Sequence, residues 1–158
     1  MIFATVGGQL GFDRLIRTVD EWAGETGRED VFCQILDGEY EPKNTLWERS
    51  LTAGAFHERL LDARLIIAHA GMGTIITALE HAKPIVVMPR QAALHEQRND
   101  HQLATAGRFK ERNQVIVAMD ESELRTNLDR VDDIVASPAI SDRASDELLD
   151  AIRSFIRP

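Results

Sequence analysis

The chain has 158 residues with a formal net charge of −8, and 44% of its residues are hydrophobic. This length supports one sizeable hydrophobic core and argues against two full domains. The acidic balance, with no basic stripe, argues against a nucleic-acid-binding surface, so any anionic ligand must be held by local dipoles.

The single cysteine, Cys33, lies in an apolar run, so we expect a buried strand thiol and no disulfide within the chain. The N-terminus has neither the basic n-region nor the long apolar h-region of a signal peptide. No apolar run approaches the roughly 18 residues that span a bilayer. We therefore expect a cytoplasmic protein that is soluble by itself.

The first forty residues predict a strand, a turn, a helix and a second strand. Residues 2–6 are apolar and β-prone, and 31–36 form a second such run. Asp13 is the expected N-cap of the helix between them, and Gly24 or Gly27 its stop. The apolar residues of that helix recur at helical spacing: Leu15, Ile16, Val19 and Trp22.

Beyond this unit, strands and helices continue to alternate. Residues 37–55 are polar and weakly periodic, and predict a long connection with room for one short strand. The remaining predicted strands cover residues 65–69, 85–88 and 115–118. The predicted helices cover 56–63, 72–81, 94–106 with a stop at Gly107, 121–128 and 141–156, the last of which we expect to cover the domain's own sheet.

This alternation predicts an α/β fold, namely a Rossmann-like parallel sheet with helices on both faces, as a single domain over residues 1–158. In such sheets ligands bind beyond the carboxyl ends of the strands. Three predicted loops lie at those ends, at 7–11, 69–74 and 89–97. We expect them to converge on one crevice.

The segment 69–74, His-Ala-Gly-Met-Gly-Thr, is the most informative of these loops. Gly71 and Gly73 permit a tight turn and the close approach of a ligand, and the N–H groups of the following helix suit a phosphate. The segment lacks the third glycine of the dinucleotide fingerprint and the Gly-Lys-Ser/Thr ending of a P-loop. A phosphate site of another kind and a purely structural strand-to-helix turn both remain open.

A second turn follows the first strand, where Gly7, Gly8 and Gln9 offer backbone donors and a side-chain amide. It also has the simpler interpretation of a tight connection. Two glycine turns at one sheet edge favour a diphosphate, because two phosphates can be divided between them without a fixed cation.

Residues 89–102 are dense in carboxylate, amide and imidazole groups. They form either a solvated loop or a sugar site, since sugar hydroxyls both donate and accept hydrogen bonds. His95 and His101 suggest a metal, but no Cys or carboxylate spacing completes a recognised set, so we expect no metal and no other cofactor.

His69 ends an apolar strand and precedes the glycine turn. It is a candidate general base, although a packed histidine bonded to backbone is the commoner situation for a lone histidine. Its position at the sheet edge narrows the gap between the two interpretations, and both remain open.

Several of these segments, in this order, resemble the C-terminal, nucleotide-sugar-binding half of GT-B glycosyltransferases of family 28. The resemblance extends from residue 1 to about Gly107. It includes small stand-alone versions, namely the catalytic subunit of the two-part UDP-GlcNAc transferase of N-glycan assembly and bacterial two-subunit exopolysaccharide and capsule transferases. The matching segments are 3–7, 12–13, 69–74, 83–89 and 99–102.

The resemblance implies roles for individual residues. The diphosphate of a UDP-sugar would be held by Gly71, Met72, Gly73 and Thr74, with Gly7, Gly8 and Gln9 across the crevice. The donor sugar would be contacted from the polar segment that begins near Arg90, by Asn99, Asp100, His101 and Gln102.

The resemblance also leaves one contact weaker than in many relatives. Thr77 stands where they carry a glutamate that accepts from the ribose hydroxyls, and a threonine hydroxyl is a weaker acceptor than a carboxylate. Uracil is expected at the loop before the helix over residues 56–63.

The resemblance further implies a donor-binding catalytic subunit of a two-component inverting glycosyltransferase. It would transfer a hexose-type sugar from a UDP-sugar to a lipid-linked acceptor in bacterial polysaccharide synthesis. A separate membrane-associated partner would form a hetero-oligomer with it and recruit it to the inner face of the membrane. Two alternatives remain: a non-catalytic nucleotide-sugar-binding or regulatory module of the same fold, and an independent enzyme such as a UDP-sugar epimerase.

Overall fold

The computed structural model describes residues 1–112 and 115–140, and strands and helices alternate along this part of the chain. Its strands are β1 (Ile2–Thr5), β2 (Val31–Gln34), β3 (Leu46–Glu48), β4 (Leu65–His69), β5 (Ile85–Met88) and β6 (Ile116–Val117). Its helices are α1 (Asp13–Thr26), α2 (Ala53–Asp62), α3 (Met72–Glu80), α4 (His101–Arg112) and α5 (Glu121–Leu128). The helix predicted over residues 141–156 lies outside the described residues.

The described strands form one parallel sheet in the order β3-β2-β1-β4-β5-β6. The chain runs outward from β1 to β3, returns to β4 beside β1, and then runs outward on the other side. This order places a topological switch between β1 and β4, where a crevice opens beyond the carboxyl ends of the strands. Thr5 is level with Gln34 on β2 and with Ala68 on β4, so these three strands end at a common edge.

Helices cover both faces of the sheet, as predicted. On one face α1 and α5 pack against every second residue of the central strands, including Ile2 and Ala4. The four α1 residues predicted from helical spacing, Leu15, Ile16, Val19 and Trp22, are all buried there. Each exposes 1% or less of its surface, which supports the apolar stripe as the cause of helix docking.

The opposite face carries α2, α3 and α4. Phe3 on β1 and Ile66 on β4 point to this side, because successive strand residues alternate between faces. They pack against helix residues that include Leu60, Ile75, Ala78, Leu79 and Ala106. In the part of the chain that the structure describes, no helix is long and apolar enough to cross a membrane.

The predicted start of α1 was wrong, and its predicted stop was right at one of two positions. Asp13 is the first helical residue rather than the cap, and its carboxylate accepts the Glu39 N–H at 3.2 Å instead of capping the helix. Gly27 ends the helix in the left-handed conformation with φ of 67°. Glycine adopts that conformation without the steric cost of a Cβ. The other predicted stop, Gly24, lies inside the helix.

The helix predicted over residues 94–106 was also wrong at both ends. A short 3-10 turn covers Ala92–Leu94, α4 begins at His101, and Gly107 lies inside α4. The Glu96 carboxylate accepts the Gln91 N–H at 2.9 Å, and the Asp100 carboxylate accepts the Ala92 N–H at 2.8 Å. These side-chain-to-backbone hydrogen bonds compete with the hydrogen bonds of a helix, so residues 91–100 form a compact loop before α4 begins.

Two further boundaries moved for local reasons. β2 stops at Gln34 because Leu36 has a left-handed φ of 50°, which an extended strand cannot continue through. α2 begins at Ala53, three residues before its predicted start, because the Thr52 hydroxyl accepts the Ala55 N–H at 3.2 Å and caps it. The long connection before α2 contains the short strand β3.

Candidate functional site

Two adjoining cavities open at the switch point between β1 and β4. One, of about 650 Å³, lies toward α2, and the other, of about 510 Å³, lies toward α4. We call them the α2-side and the α4-side cavity. Both are lined by Gly7, Gly8, Gly73 and Thr74, so the cavities meet between the β1 loop and the first turn of α3.

The N-terminus of α3 lies at this junction and has features that favour an anion. Its N-cap is Gly71, which has no side chain to cap the helix, and its first turn contains no acidic residue. The first N–H groups of a helix have no partner within the helix and carry the positive end of its dipole. A phosphate at the junction would satisfy them.

The glycines around the junction fall into two classes. A Cβ built on Gly7 or Gly71 would overlap the His69 ring, so these two glycines make room for the imidazole. Gly7 also has a left-handed φ of 83°. A Cβ on Gly8 or Gly73 would meet no protein atom within 4 Å, so these two leave the junction open. Only the second class keeps space free for a ligand.

His69 lies between the two loops, with its ring against Gly7 and Gly71. Burial, together with the nearby Arg90 cation, lowers the pKa of His69 to about 4. Its Nδ1 is buried without a hydrogen-bond partner. The Nδ1 atom therefore lacks the backbone hydrogen bond that is expected of a packed histidine. The low pKa makes the ring neutral at pH 7.

Arg90 ties the end of β5 to the β1 loop. It is 2% exposed, and its guanidinium donates to the carbonyl oxygens of Val6 at 3.0 Å, Leu10 at 2.5 Å and Gly11 at 3.4 Å. The Arg90 N–H in turn donates to the Gln102 side-chain oxygen at 3.1 Å. Arg90, which was predicted to contact the ligand, thus lines the α4-side cavity, but its hydrogen bonds mainly hold the β1 loop against the end of β5.

The structure brings together most of the residues predicted for the site, but not all of them. Those lining the α4-side cavity are Gly7, Gly8, Gln9, His69, Gly71, Met72, Gly73, Thr74, Arg90, His101 and Gln102. Asn99 and Asp100 do not line it. The Asp100 carboxylate is used by the Ala92 N–H, and the Asn99 oxygen contacts the backbone N–H and ring of His101. Asp100 and Asn99 therefore stabilise the loop before α4 and do not form part of the cavity wall.

Gln97 lines the α4-side cavity although it was not singled out from the sequence. Its side-chain nitrogen lies 3.3 Å from the His101 Nε2, and its side-chain oxygen is buried without a partner. Among the described residues, four side-chain atoms are buried without partners, and three belong to this cavity: His69 Nδ1, Arg90 Nε and Gln97 Oε1. Such atoms are rare in folded proteins and cluster where a ligand or ordered water is required.

Thr77 lines the α2-side cavity together with residues that were not predicted individually. They come from the end of β2 and from the long connection before α2, and they include Gln34, Leu36, Ser50, Leu51, Phe56 and His57. The length of that connection was the available signal, because long loops in compact domains are often functional.

The described residues provide no metal site in either cavity. No group of three or more His, Cys, Asp or Glu side chains in residues 1–112 and 115–140 is arranged to hold a metal ion. The donors that face the junction are the backbone N–H groups at the start of α3 and, in the α4-side cavity, the Arg90 guanidinium, whose Nε has no partner.

The glycosyltransferase family 28 C-terminal domain model matches residues 1–145. The chain belongs to this family. Its domain is thus a glycosyltransferase domain of the nucleotide-sugar-binding type, and its parallel sheet with helices on both faces is a Rossmann-like fold of the GT-B C-terminal type.

Solved glycosyltransferases share the fold of this family 28 domain. ALG13, determined by NMR, is 16% identical with a TM-score of 0.61, and the match covers 90% of each chain. MurG from Acinetobacter baumannii is 19% identical with a TM-score of 0.58, over 82% of this chain and 40% of MurG. Os79 from O. sativa, in complex with UDP, is 13% identical with a TM-score of 0.62, over 84% of this chain and 31% of Os79. The chain thus spans less than half the length of the two larger proteins.

Proposed function

We propose that this family 28 domain is the donor-binding catalytic subunit of a two-component inverting glycosyltransferase. It transfers a hexose-type sugar from a UDP-sugar to a lipid-linked acceptor in bacterial polysaccharide synthesis. The observation that carries the proposal is the pair of cavities that meet at the α3 N-terminus. A UDP-sugar consists of a nucleoside, a diphosphate and a sugar linked in that order. This order matches the α2-side cavity, the junction and the α4-side cavity.

The α2-side cavity is the proposed nucleoside site. It combines apolar surface from Leu36, Leu51 and Phe56 with the hydroxyl of Thr77. A base and a ribose present that mixture of apolar and hydroxyl surface. The UDP bound in Os79, which shares the fold, supports uridine as the nucleoside.

The α4-side cavity is the proposed sugar site. His101 and Gln102 line it, as does Gln97, and each offers hydrogen-bonding atoms to hydroxyl groups. Asn99 and Asp100 are proposed to act on the sugar only through the loop that they shape.

The proposed reaction is a direct displacement. The acceptor hydroxyl attacks the anomeric carbon, the bond from that carbon to the diphosphate oxygen breaks, and UDP leaves with the electron pair. The α3 N–H groups stabilise the departing charge in place of a metal. His69, neutral at pH 7, is the candidate to take the hydroxyl proton, and the bound diphosphate raises its pKa toward the working range.

The acceptor site is proposed to lie in a membrane-associated partner that recruits this chain to the inner face of the membrane. The end-to-end match with ALG13, against partial matches with MurG and Os79, supports a donor-binding unit that works with a separate acceptor-binding unit.

Calorimetric titration with UDP, UDP-GlcNAc, UDP-glucuronate and UDP-galactose tests the donor site directly. We expect UDP to bind the isolated chain, and one UDP-sugar to be consumed only when membranes containing the partner are added. The absence of UDP binding would overturn the proposal. UDP binding without sugar transfer in any reconstituted membrane would instead favour the non-catalytic nucleotide-sugar-binding module.

Replacement of His69 by Ala tests the base. We expect turnover in the reconstituted pair to fall by about 100-fold while the Kd for UDP changes little, since general-base catalysis contributes on that order. His95→Ala, which replaces an exposed histidine that lines neither cavity, is the control. A large loss of UDP affinity in His69→Ala would make His69 a donor-binding residue rather than a base.

A further inference from the structure

The α2-side cavity contains no acidic side chain among its lining residues, all of which lie in the described part of the chain. Its polar side chains are Gln34, Ser50, His57, Thr74 and Thr77. The hydrogen-bonding capacity of these side chains determines how much each hydroxyl group of a nucleoside sugar contributes to affinity.

The hydroxyl of Thr77 is already used within α3. It donates to the Gly73 carbonyl oxygen at 3.0 Å, so toward a ligand it can only accept. Gln34 is used as well, since its oxygen accepts from the Thr5 hydroxyl at 2.7 Å and its nitrogen donates to the Arg49 carbonyl at 3.3 Å. These bonds persist whether or not a sugar hydroxyl is present.

Of the remaining polar side chains, Thr74 is 8% exposed and lines both cavities at the junction, where the diphosphate is proposed to lie. Ser50 and His57 are exposed, and the His57 ring lies edge-on to that of His81 with centroids 5.4 Å apart. Water replaces any contact that these side chains would make with a sugar hydroxyl. Removal of a ribose hydroxyl that contacts this side of the cavity therefore leaves no buried protein group unpaired.

Binding sites reject a ligand that lacks a hydroxyl chiefly because a buried polar partner is then left unsatisfied. Apart from Thr74, which lines both cavities and is assigned to the diphosphate, the described residues that line the α2-side cavity include no such partner for a 2′-hydroxyl. We propose that this cavity accepts 2′-deoxyribonucleoside diphosphates nearly as well as ribonucleoside diphosphates, so that the donor class includes deoxythymidine diphosphate sugars. This inference rests on the proposed function, because it assigns the nucleoside to the α2-side cavity.

The apolar lining of the cavity also suits a thymine methyl group. Leu36, Leu51, Ala53 and Phe56 line a space of about 650 Å³, which exceeds the needs of uracil. A methyl buried against such surface improves affinity by about fourfold. In a thymidine nucleotide, the gain from the methyl group therefore compensates for much of the affinity that is lost with the 2′-hydroxyl.

Calorimetric titration of the full chain with UDP, dUDP and dTDP tests the inference. UDP and dUDP differ only at the 2′-hydroxyl, and dTDP adds the methyl. We expect the Kd for dUDP to lie within about tenfold of that for UDP, and dTDP to bind at least as tightly as dUDP. A dUDP affinity lower than that of UDP by more than about tenfold would overturn the inference and leave the UDP site intact. If none of the three binds, the proposed function itself fails, and the inference with it.

Thr77→Glu supplies the carboxylate that the cavity lacks. A ribose hydroxyl donates a charge-assisted hydrogen bond to it, so we expect the ratio of the dUDP and UDP dissociation constants to rise above about tenfold, even if both ligands bind more weakly. Thr126→Glu is the matched control, because the exposed Thr126 hydroxyl makes the same type of bond, to the Ser122 carbonyl at 2.9 Å, on the distant α5. A wild-type ratio in Thr77→Glu would overturn the placement of the sugar against Thr77.

Discussion

At the scale of single residues, the four glycines at the junction have different neighbours. Gly7 and Gly71 border the His69 ring, and Gly8 and Gly73 border open space. All four look alike in the sequence, because a glycine pattern reports only that a side chain is absent. What fills the vacated volume, a neighbouring ring or a ligand, depends on residues far apart in the chain.

The two classes predict opposite outcomes for alanine substitutions. Gly73→Ala places a methyl in the proposed diphosphate position, so we expect UDP affinity to fall by about tenfold or more with no loss of stability, since Ala favours helix over Gly. Gly71→Ala forces the His69 ring aside, and we expect a loss of about 1–3 kcal/mol in unfolding free energy.

Calorimetry for UDP and urea denaturation for stability separate the two effects. Gly107→Ala is the control, since its Cβ also meets no atom within 4 Å but lies in α4 away from both cavities. Unchanged UDP binding in Gly73→Ala would contradict the assignment of the diphosphate to the α3 N-terminus.

His69 predicts a pH dependence of stability. Burial lowers its pKa in the folded chain from 6.5 to about 4, so between these values the unfolded chain binds more protons. Stability is therefore full above about pH 6.5 and is lost as the pH falls toward 4, by up to about 3 kcal/mol from this group.

Urea denaturation between pH 4 and about pH 7 measures this loss. We expect His69→Gln, which cannot titrate, to have a flatter stability profile than the wild type over that range. His81→Gln replaces an exposed ring and serves as the control. A wild-type profile in His69→Gln would show that His69 is not the buried neutral group described above.

At the scale of elements, the buried carboxylate of Asp20 on α1 fixes the connection that leads to β3. It is fully buried and accepts from the Tyr40 hydroxyl at 2.8 Å, the Lys43 N–H at 2.9 Å and the Asn44 N–H at 2.8 Å. Burial alone would raise the pKa of Asp20, but these hydrogen bonds, together with one from the Thr45 hydroxyl, leave the pKa below its usual value.

Asp20→Asn is expected to cost about 2–3 kcal/mol, because an amide cannot accept all of these bonds and its NH2 group faces donors. Urea denaturation at neutral pH measures the change. Glu21→Gln, at the neighbouring exposed position on α1, is the control and should change stability by less than about 0.5 kcal/mol. Equal stabilities for the two variants would contradict the anchoring role of Asp20.

The element scale also shows which local signals were decisive. Apolar runs and periodicity predicted every described strand except β3, and also the buried face of α1; that helix ends at Gly27, one of its two predicted stops. The start of α4 was missed because Glu96 and Asp100 accept backbone N–H groups of residues 91 and 92. Such side-chain-to-backbone bonds compete with helix, and their partners cannot be identified from composition alone.

At the scale of the whole molecule, an acidic chain is proposed to bind an anionic ligand. The net charge is −8, and Arg90, the one cation lining the two described cavities, is bonded to backbone carbonyl oxygens. Short-range N–H groups attract the diphosphate, whereas the long-range field of the chain repels it. Salt screens the second effect more than the first.

We therefore expect the Kd for UDP to stay constant or fall when NaCl is raised from about 20 to about 200 mM, since the Debye length is then below about 10 Å. A site built from Lys and Arg would lose affinity instead. Titrations in EDTA should give the same Kd as titrations with added Mg²⁺, because the α3 dipole takes the place of a metal. A loss of affinity of about tenfold in salt or in EDTA would contradict a dipole-built site.

The sequence by itself determined the α/β class, the parallel sheet, the sheet edge at which the candidate site lies and the family, because these depend on periodicity and on residues that are contiguous in the chain. Only the tertiary structure decided which glycines make room for His69, that Arg90 is bonded to the β1 loop, and that the connection before α2 forms the wall beside Thr77. These depend on contacts between loops that are separated in sequence and are brought together at the carboxyl edge of the sheet.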